Sequence, residues 1–313
     1  MLSWHAVTDV PQGWGPSAVT IGKFDGVHLG HVEILRQLGD ISSQRGLAPT
    51  VVTFDRHPAS LLTPDQRPAD IVSTEERLSL IEAQGVEAAL VLSFDSALAG
   101  LSPREFVTDV LLSALHAQVV LVGHDFRFGD HASGDVVTLQ ELAAEFGFDV
   151  VLIDDVTPLD GVRVSSSLIR ELMAEGDIAR VSQLLGRLPR VSGEVVHGHK
   201  RGRELGFPTA NLSQDSTGLV PGDGVYAGWF LDGGQRFPAA ISVGTNPTFE
   251  GVNKRTVEAF LLDQNLDLYG HQVTIEFAAH IRGMVAFTGI DPLIEQMHDD
   301  VLRTRTILGL ANS

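Results

Sequence analysis

The sequence predicts an α/β domain followed by a β domain. Residues 1–186 read as a Rossmann-like parallel sheet with helices on both faces, and residues 187–313 as a small antiparallel β-barrel with a terminal helix. Three observations carry this reading. Short, nearly continuous apolar runs alternate with helical periodicity through the first half, as strands buried on both faces between helices require. Around Gly186–Arg190 that alternation stops, and strands separated by Gly/Pro/Asp clusters take over. Divided there, the first part holds 11 Lys+Arg against 26 Asp+Glu, a balance of −15, and the second 11 against 14, a balance of −3.

Taken in order, strands are expected at 19–21, 50–54, 89–94, 119–122 and 150–153. Between them apolar residues fall three and four apart: Val32, Leu35, Leu38 and Ile41, then Leu78 and Ile81, then Phe106, Val110, Leu111 and Leu115. In such sheets ligands bind beyond the carboxyl ends of the strands, so the residues just after each strand are the first place to look. A short helix over 178–185 ends at Gly186, and Pro189 blocks its continuation. Strands then follow at 191–196, 225–231, 238–243, 256–262 and 272–277, and an amphipathic helix at 292–308 closes the chain.

Composition narrows the function classes. At 313 residues the chain is long enough for two cores. It is 43% hydrophobic and 20% charged, an ordinary globular balance. No apolar run approaches the roughly 20 residues of a membrane span, and 1–5 shows no signal-peptide pattern. There are no cysteines, hence no disulfide framework, thiolate metal site or cysteine nucleophile. These features fit a cytoplasmic protein with no membrane partner. The net charge of −18 argues against nucleic acid as a partner. Any anionic ligand must be held by local cations and backbone amides against that field. Oligomeric state is not legible.

After the first strand comes Gly22-Lys23-Phe24-Asp25-Gly26-Val27-His28-Leu29-Gly30-His31, leading into a helix. Gly22 and Gly30 permit close backbone approach, and a helix N-terminus offers free N–H groups to phosphate. His28 and His31 can both point at one bound group and stabilise charge developing on a transferring phosphoryl centre. The plainer alternatives are a metal pair or surface histidines, although a zinc-protease helix would space its histidines four apart around a Glu. Ser165, Ser166 and Ser167 open a predicted helix, and Arg170 one turn on can clamp phosphate; an ordinary serine cap with a surface Arg is the alternative. Phe126 and Phe128 share one face of a loop or strand, as ligand wall or core. Asp125 either bonds a nucleotide or caps a turn.

In the second half, Gly202-Arg203-Glu204-Leu205-Gly206-Phe207-Pro208-Thr209-Ala210-Asn211-Leu212 stands out. Thr209 and Asn211, two apart on an extended stretch, face the same way and can offer two oxygen ligands to one hard cation. Upstream, Gly198 and Lys200 lie in a glycine-containing basic loop, either a phosphate lid or a solvated charged segment. Glu258 shares a strand face with Thr256 and Phe260 and is a candidate general base; a cross-strand partner for Arg255 is the alternative.

The run Phe24–His31 resembles the His-x-Gly-His motif of the nucleotidyltransferase superfamily shared with class I aminoacyl-tRNA synthetases. More narrowly, Gly22–His31 is similar to the opening motif of the bacterial bifunctional riboflavin kinase/FAD synthetase family. Thr53-Phe54-Asp55-Arg56-His57-Pro58, Gly123-His124-Asp125-Phe126-Arg127-Phe128-Gly129 and Val164-Ser165-Ser166-Ser167-Leu168-Ile169-Arg170 fit that family in the same order. Gly202–Leu212 resembles the defining motif of riboflavin kinase, and the Glu258 segment up to Asp263 and Tyr269-Gly270 fits it too.

The resemblance implies a bifunctional enzyme. Its barrel moves the γ-phosphoryl of ATP to riboflavin, and its first domain moves AMP from a second ATP to FMN, giving FAD and pyrophosphate. ATP, riboflavin and FMN are then the small-molecule partners and Mg²⁺ the cofactor. It implies catalytic roles for Glu258, His28, His31 and Arg170, and metal binding by Thr209 and Asn211. ATP or phosphate would be held by Gly22, Phe24 and Gly30, by Ser165, Ser166 and Ser167, and by Gly198, Lys200, Gly202 and Arg203. Flavin would be held by Phe54, Asp55 and His57, by Asp125, Phe126 and Phe128, and by Arg282. Three positions depart from the family pattern: Arg56 replaces Pro, Ser167 replaces Thr, and Ala286 stands where a basic residue is expected. A kinase with an inactive first half and a non-catalytic flavin-binding regulator are the rival readings.

Overall fold

The computed structural model describes residues 1–56, 68–154, 157, 161–198, 206–245 and 255–311. These form two compact units, one of Met1–Ala69 and Thr74–Ser165, the other of Asp70–Ser73 and Ser166–Ser313.

The first unit is built on six parallel strands: β1 (Leu2–Trp4), β2 (Ser17–Ile21), β3 (Ala48–Phe54), β4 (Ala88–Leu92), β5 (Ala117–Gly123) and β6 (Asp149–Ile153). Their order across the sheet is β1-β4-β3-β2-β5-β6. Side chains alternate between two cores. Val19, Val52 and Val120 enter one, while Ala18, Val51 and Leu121 enter the other, so both faces are covered as the unbroken apolar runs require. Strand order reverses between β2 and β5, which puts the ligand crevice beyond Ile21 and Gly123.

Helices α1 (Leu29–Arg45), α2 (Thr74–Glu82), α3 (Phe106–Ala114, wound as a π-helix) and α4 (Val136–Phe146) belong to this unit. Leu35 and Leu38 of α1, and Phe106, Val110 and Leu111 of α3, are buried as their spacing predicts. Two strand details differ from the sequence reading, and the helix Val136–Phe146 was not among its helical segments. Strand β1 was not expected: it is three residues long with only Trp4 buried, too short to show a period. Strand β4 stops at Leu92 rather than 94, because Asp55 draws in the Ser93 hydroxyl and the Phe94 amide.

The second unit opens with α5 (Ser166–Glu175) and α6 (Ile178–Leu185), the latter ending on Gly186 in the left-handed region (φ 70°) as its C-terminal glycine predicts. Strands β7 (Arg190–Val196), β8 (Thr209–Leu212), β9 (Gly224–Asp232), β10 (Gln235–Thr245), β11 (Arg255–Leu261) and β12 (Gln272–Arg282) close into a barrel in the order β10-β11-β8-β7-β12-β9. Every pairing is antiparallel. Helix α7 (Ile290–Ile307) ends the chain. The α5–α6 pair clusters with the barrel: the Gly222 amide donates to the Met173 carbonyl at 2.8 Å, and a side chain at Gly176 would press on the Tyr226 hydroxyl.

Candidate active sites

In the first unit the chain leaves β2 and turns sharply. Phe24 (φ 52°), Gly26 (φ 78°) and Val27 (φ 37°) all lie at positive φ, a region that non-glycine residues avoid. Phe24 and Val27 are held there by burial, each only 1% exposed. The turn delivers His28 to the N-cap of α1 and His31 to its first turn. Their rings stack at 3.7 Å and 15°. Gly30 matters to this arrangement, because a Cβ there would lie 3.1 Å from the His28 ring; one on Gly22 would lie 3.0 Å from the Phe24 ring. Phe24 itself packs in the core, 5.0 Å from His31.

The Nδ1 of His31 is buried without a hydrogen-bond partner. Burial first, then the charges of His28 and Arg77, hold the His31 pKa well below its ordinary value. His31 is therefore a neutral imidazole near pH 7, able to donate a hydrogen bond rather than supply a full charge. Lys23 and the buried Asp25 form an ion pair at 3.5 Å at the start of the turn.

Beside the turn lies a cavity of about 530 Å³, lined by Gly22, Lys23 and a group of aromatic rings. Phe54 meets Phe94 edge-on at 5.7 Å, and Phe126 stacks on Phe128 at 5.3 Å and 15°. Phe106 packs on Phe128 at 5.9 Å. Gly134 makes room for Phe128, since a Cβ there would lie 2.8 Å from its ring. An aromatic slot of this size suits a flat heteroaromatic ligand.

Of the other sequence-predicted residues here, Asp55 faces the end of β4. Burial works to raise its pKa, but the Phe94 amide, the Ser93 hydroxyl and Arg56 outweigh that and hold its carboxyl below the ordinary range. Its role in this structure is to fix Phe94 in the cavity wall. Asp125 is exposed and paired with Arg163 at 2.6 Å. His57 lies outside the described residues. Ser165 ends the first unit, whereas Ser166, Ser167 and Arg170 occupy the first turns of α5 in the second. Phe94 and Phe106 were missed as wall residues, because one reads as a strand position and the other as a helix-core position.

In the barrel, antiparallel register sets Glu258 opposite Asn211 and Phe260 opposite Thr209. The Thr209 hydroxyl donates to Glu258 Oε2 at 3.3 Å, and the Asn211 amide nitrogen donates to the Thr209 carbonyl at 3.3 Å. Gly198 admits the Asn211 side chain: a Cβ at 198 would lie 2.5 Å from its amide. Thr209 borders two cavities. One, of about 330 Å³, is apolar and is lined by Glu258, Phe260, Arg282, Phe287 and Met297. The other is a small cleft of about 40 Å³ that includes Gln264, Asn265 and Tyr269.

Arg282 is gripped by both carboxylate oxygens of Asp300 on α7, at 2.9 and 2.7 Å, with Phe287 5.9 Å from its guanidinium. Asp300, Gln264 and Asn265 had no signal in the sequence. Lys200, Gly202 and Arg203 lie outside the described residues, as do 246–254.

The donors at this junction are oxygen atoms: a hydroxyl, an amide carbonyl and a carboxylate. That is the hard-ligand chemistry Mg²⁺ prefers. Among the described residues no cluster of three His, Cys, Asp or Glu could hold an ion alone.

The fold joins a doubly wound parallel-sheet unit, a class that binds ligands beyond its strand ends, to a closed antiparallel barrel. Comparison with known proteins makes this specific. The FAD synthetase family model matches residues 10–168 and the riboflavin kinase family model residues 185–308. A bifunctional riboflavin kinase/FMN adenylyltransferase from Escherichia coli (strain K12) is 36% identical over 98% of this chain and 96% of its own length. One of the same description from Bacillus subtilis (strain 168) is 34% identical over 91% of this chain and 90% of its own. A crystal structure of a Streptococcus pneumoniae chain described as a macrolide-efflux protein superposes with a TM-score of 0.88 at 31% identity, covering 97% of this chain and 98% of that one. Among the described residues here, no helix is long and apolar enough to cross a membrane.

The chain belongs to the bifunctional riboflavin kinase/FMN adenylyltransferase family. It is an enzyme with two activities, phosphorylation of riboflavin and adenylylation of FMN.

Proposed function

We propose that the two activities divide near Gly186, with the kinase chemistry centred on Thr209, Asn211 and Glu258 and the adenylyl transfer on His28 and His31. The observation that carries the kinase assignment is the position of Thr209. It touches Glu258 at 3.3 Å and borders both the apolar cavity and the cleft with Gln264 and Asn265. The isoalloxazine ring of riboflavin takes the apolar side and ATP the cleft side, so the 5′-hydroxyl and the γ-phosphate meet beside Glu258. The hydroxyl oxygen attacks γ-phosphorus, the bond to the ADP oxygen breaks, and Glu258 accepts the hydroxyl proton. Mg²⁺, held by Thr209 and Asn211, would supply positive charge to the phosphate oxygens. Arg282, fixed by Asp300, orients the flavin.

In the first unit, the aromatic cavity receives the FMN ring and the His28–His31 pair faces the α-phosphate of ATP. A phosphate oxygen of FMN attacks α-phosphorus and pyrophosphate leaves. The nucleophile is already an anion, so positioning and hydrogen bonding suffice without a strong base. Both steps consume ATP, which supports a cytoplasmic location.

A chromatographic time course with riboflavin, ATP and Mg²⁺ tests the assignment in wild type and in Glu258→Gln. Wild type should form FMN and then FAD; the variant should form neither from riboflavin but convert supplied FMN to FAD. Loss of both reactions in a folded Glu258→Gln protein would overturn the division of labour.

A further inference from the structure

Arg77 stands out among the buried polar groups that the two chemistries leave unused. It projects from α2 and is only 4% exposed. Its Nη1 donates to the Lys23 carbonyl at 3.1 Å, and its Nη2 donates to the Phe54 carbonyl at 2.6 Å and to the Thr74 hydroxyl at 3.2 Å. The two carbonyls come from different strand ends. Lys23 begins the turn that carries His28 and His31, and Phe54 ends β3; both residues also line the aromatic cavity. The Thr53 hydroxyl adds a bond to the same Lys23 carbonyl at 3.1 Å.

Burying a guanidinium is costly, and an apolar side chain would serve a purely packing role at lower cost. What an apolar residue cannot do is span two carbonyls on separate loops. A planar fork of donors can, and a lysine ammonium, a single point of charge, cannot do so in the same geometry.

We infer that Arg77 is a positioning residue for adenylyl transfer, locking the histidine turn to the wall of the flavin cavity so that the two substrates meet in register. The inference rests on the reading that this unit carries adenylyl transfer with His28 and His31. Its cation also lies close enough to His31 to help keep that ring neutral, in agreement with the geometry. In-line transfer needs reacting atoms about 3–3.5 Å apart, and a misplacement of about 1 Å costs on the order of 100-fold in rate. Breaking the cross-link should therefore act on turnover more than on flavin binding.

The experiment uses the full-length protein, whose riboflavin phosphorylation provides an internal control. Arg77→Gln and Arg77→Lys are assayed for FMN-to-FAD kcat and KM, for FMN affinity by flavin fluorescence quenching, and for thermal unfolding, with His28→Ala alongside. Expected for Arg77→Lys is a folded protein with kcat for FAD formation down at least about tenfold, FMN affinity within about threefold, and riboflavin phosphorylation within about twofold. Arg77→Gln should fall further, by about 100-fold in kcat.

A lysine variant with wild-type kcat would overturn the inference, because charge alone would then suffice. So would a glutamine variant that unfolds at lower temperature yet turns over normally, since the role would be structural only. If Arg77→Gln does not fold, the lysine variant decides alone. His28→Ala separates the two failures. Should it leave FAD formation intact, the reading of the unit is wrong; should it abolish FAD formation while the Arg77 variants stay active, only the positioning role is.

Discussion

The two active regions solve the same electrostatic problem with opposite materials. In the first unit, a strained turn carries a stacked histidine pair, and the carboxylates of Asp25 and Asp55 are occupied by Lys23 and by the end of β4. In the barrel, a carboxylate stands at the centre, hydrogen-bonded to Thr209 and flanked by Asn211 across the strand. On the proposed division of labour, the difference would follow the nucleophile. A phosphate oxygen arrives ionised and needs orientation and neutral donors, whereas a ribityl hydroxyl must lose a proton and needs a base.

Four measurements would break or sharpen this contrast. The largest effect is expected from Glu258→Gln, which should lower riboflavin phosphorylation by roughly 10²–10⁴-fold, the usual worth of a general base. FMN adenylylation in the same protein should be unchanged. If phosphorylation survives, the barrel does not use a carboxylate base and the contrast collapses. Next, His28→Ala should lower FAD formation by about 10²–10³-fold, the scale of removing one donor to developing charge. Its FMN formation should match wild type, which a coupled chromatographic assay reads directly.

A smaller effect is expected at Gly198. An added methyl would press on the Asn211 amide, so Gly198→Ala should slow FMN formation by about tenfold through displacement of that side chain. Steady-state kinetics of the two reactions in one preparation checks that FAD formation from FMN is spared.

The smallest effect concerns stability. Because the His31 pKa is depressed in the folded state, the unfolded chain binds more protons there as pH falls below 6.5. The stabilisation is present above that value and is lost as pH falls toward the folded pKa. Thermal unfolding at pH 7.5 and 5.5 should therefore show a smaller acid loss in His31→Asn than in wild type. Equal losses would mean that His31 is not held neutral by its surroundings.

Much of the molecule was legible before its structure. The five longest strands of the parallel sheet, five of the six barrel strands and the closing helix follow from runs and periods that lie within a few residues of one another, whereas Thr209–Leu212 was read only as an extended stretch. The histidine turn and the Phe207–Leu212 segment were equally visible, since each is contiguous and each residue type there has a chemical reason. Glycine was read correctly as a conformational residue, yet its partners were not. Gly30 makes way for His28, Gly134 for Phe128 and Gly198 for Asn211, and no local pattern names those neighbours.

The sequence by itself determined that the chain has two halves of different architecture, and it marked candidate phosphate segments in each, with Glu258 the candidate base in the second. Tertiary structure alone decided which distant residues meet those segments. Arg77 reaches back to Lys23 and Phe54, Phe94 and Phe106 close the aromatic cavity, Asp300 grips Arg282, and β1 adds itself to the edge of the sheet. The reason is physical. Hydrophobic period and turn chemistry are set by neighbours along the chain, whereas a hydrogen bond or ring contact between residues tens of positions apart exists only once packing has brought them together.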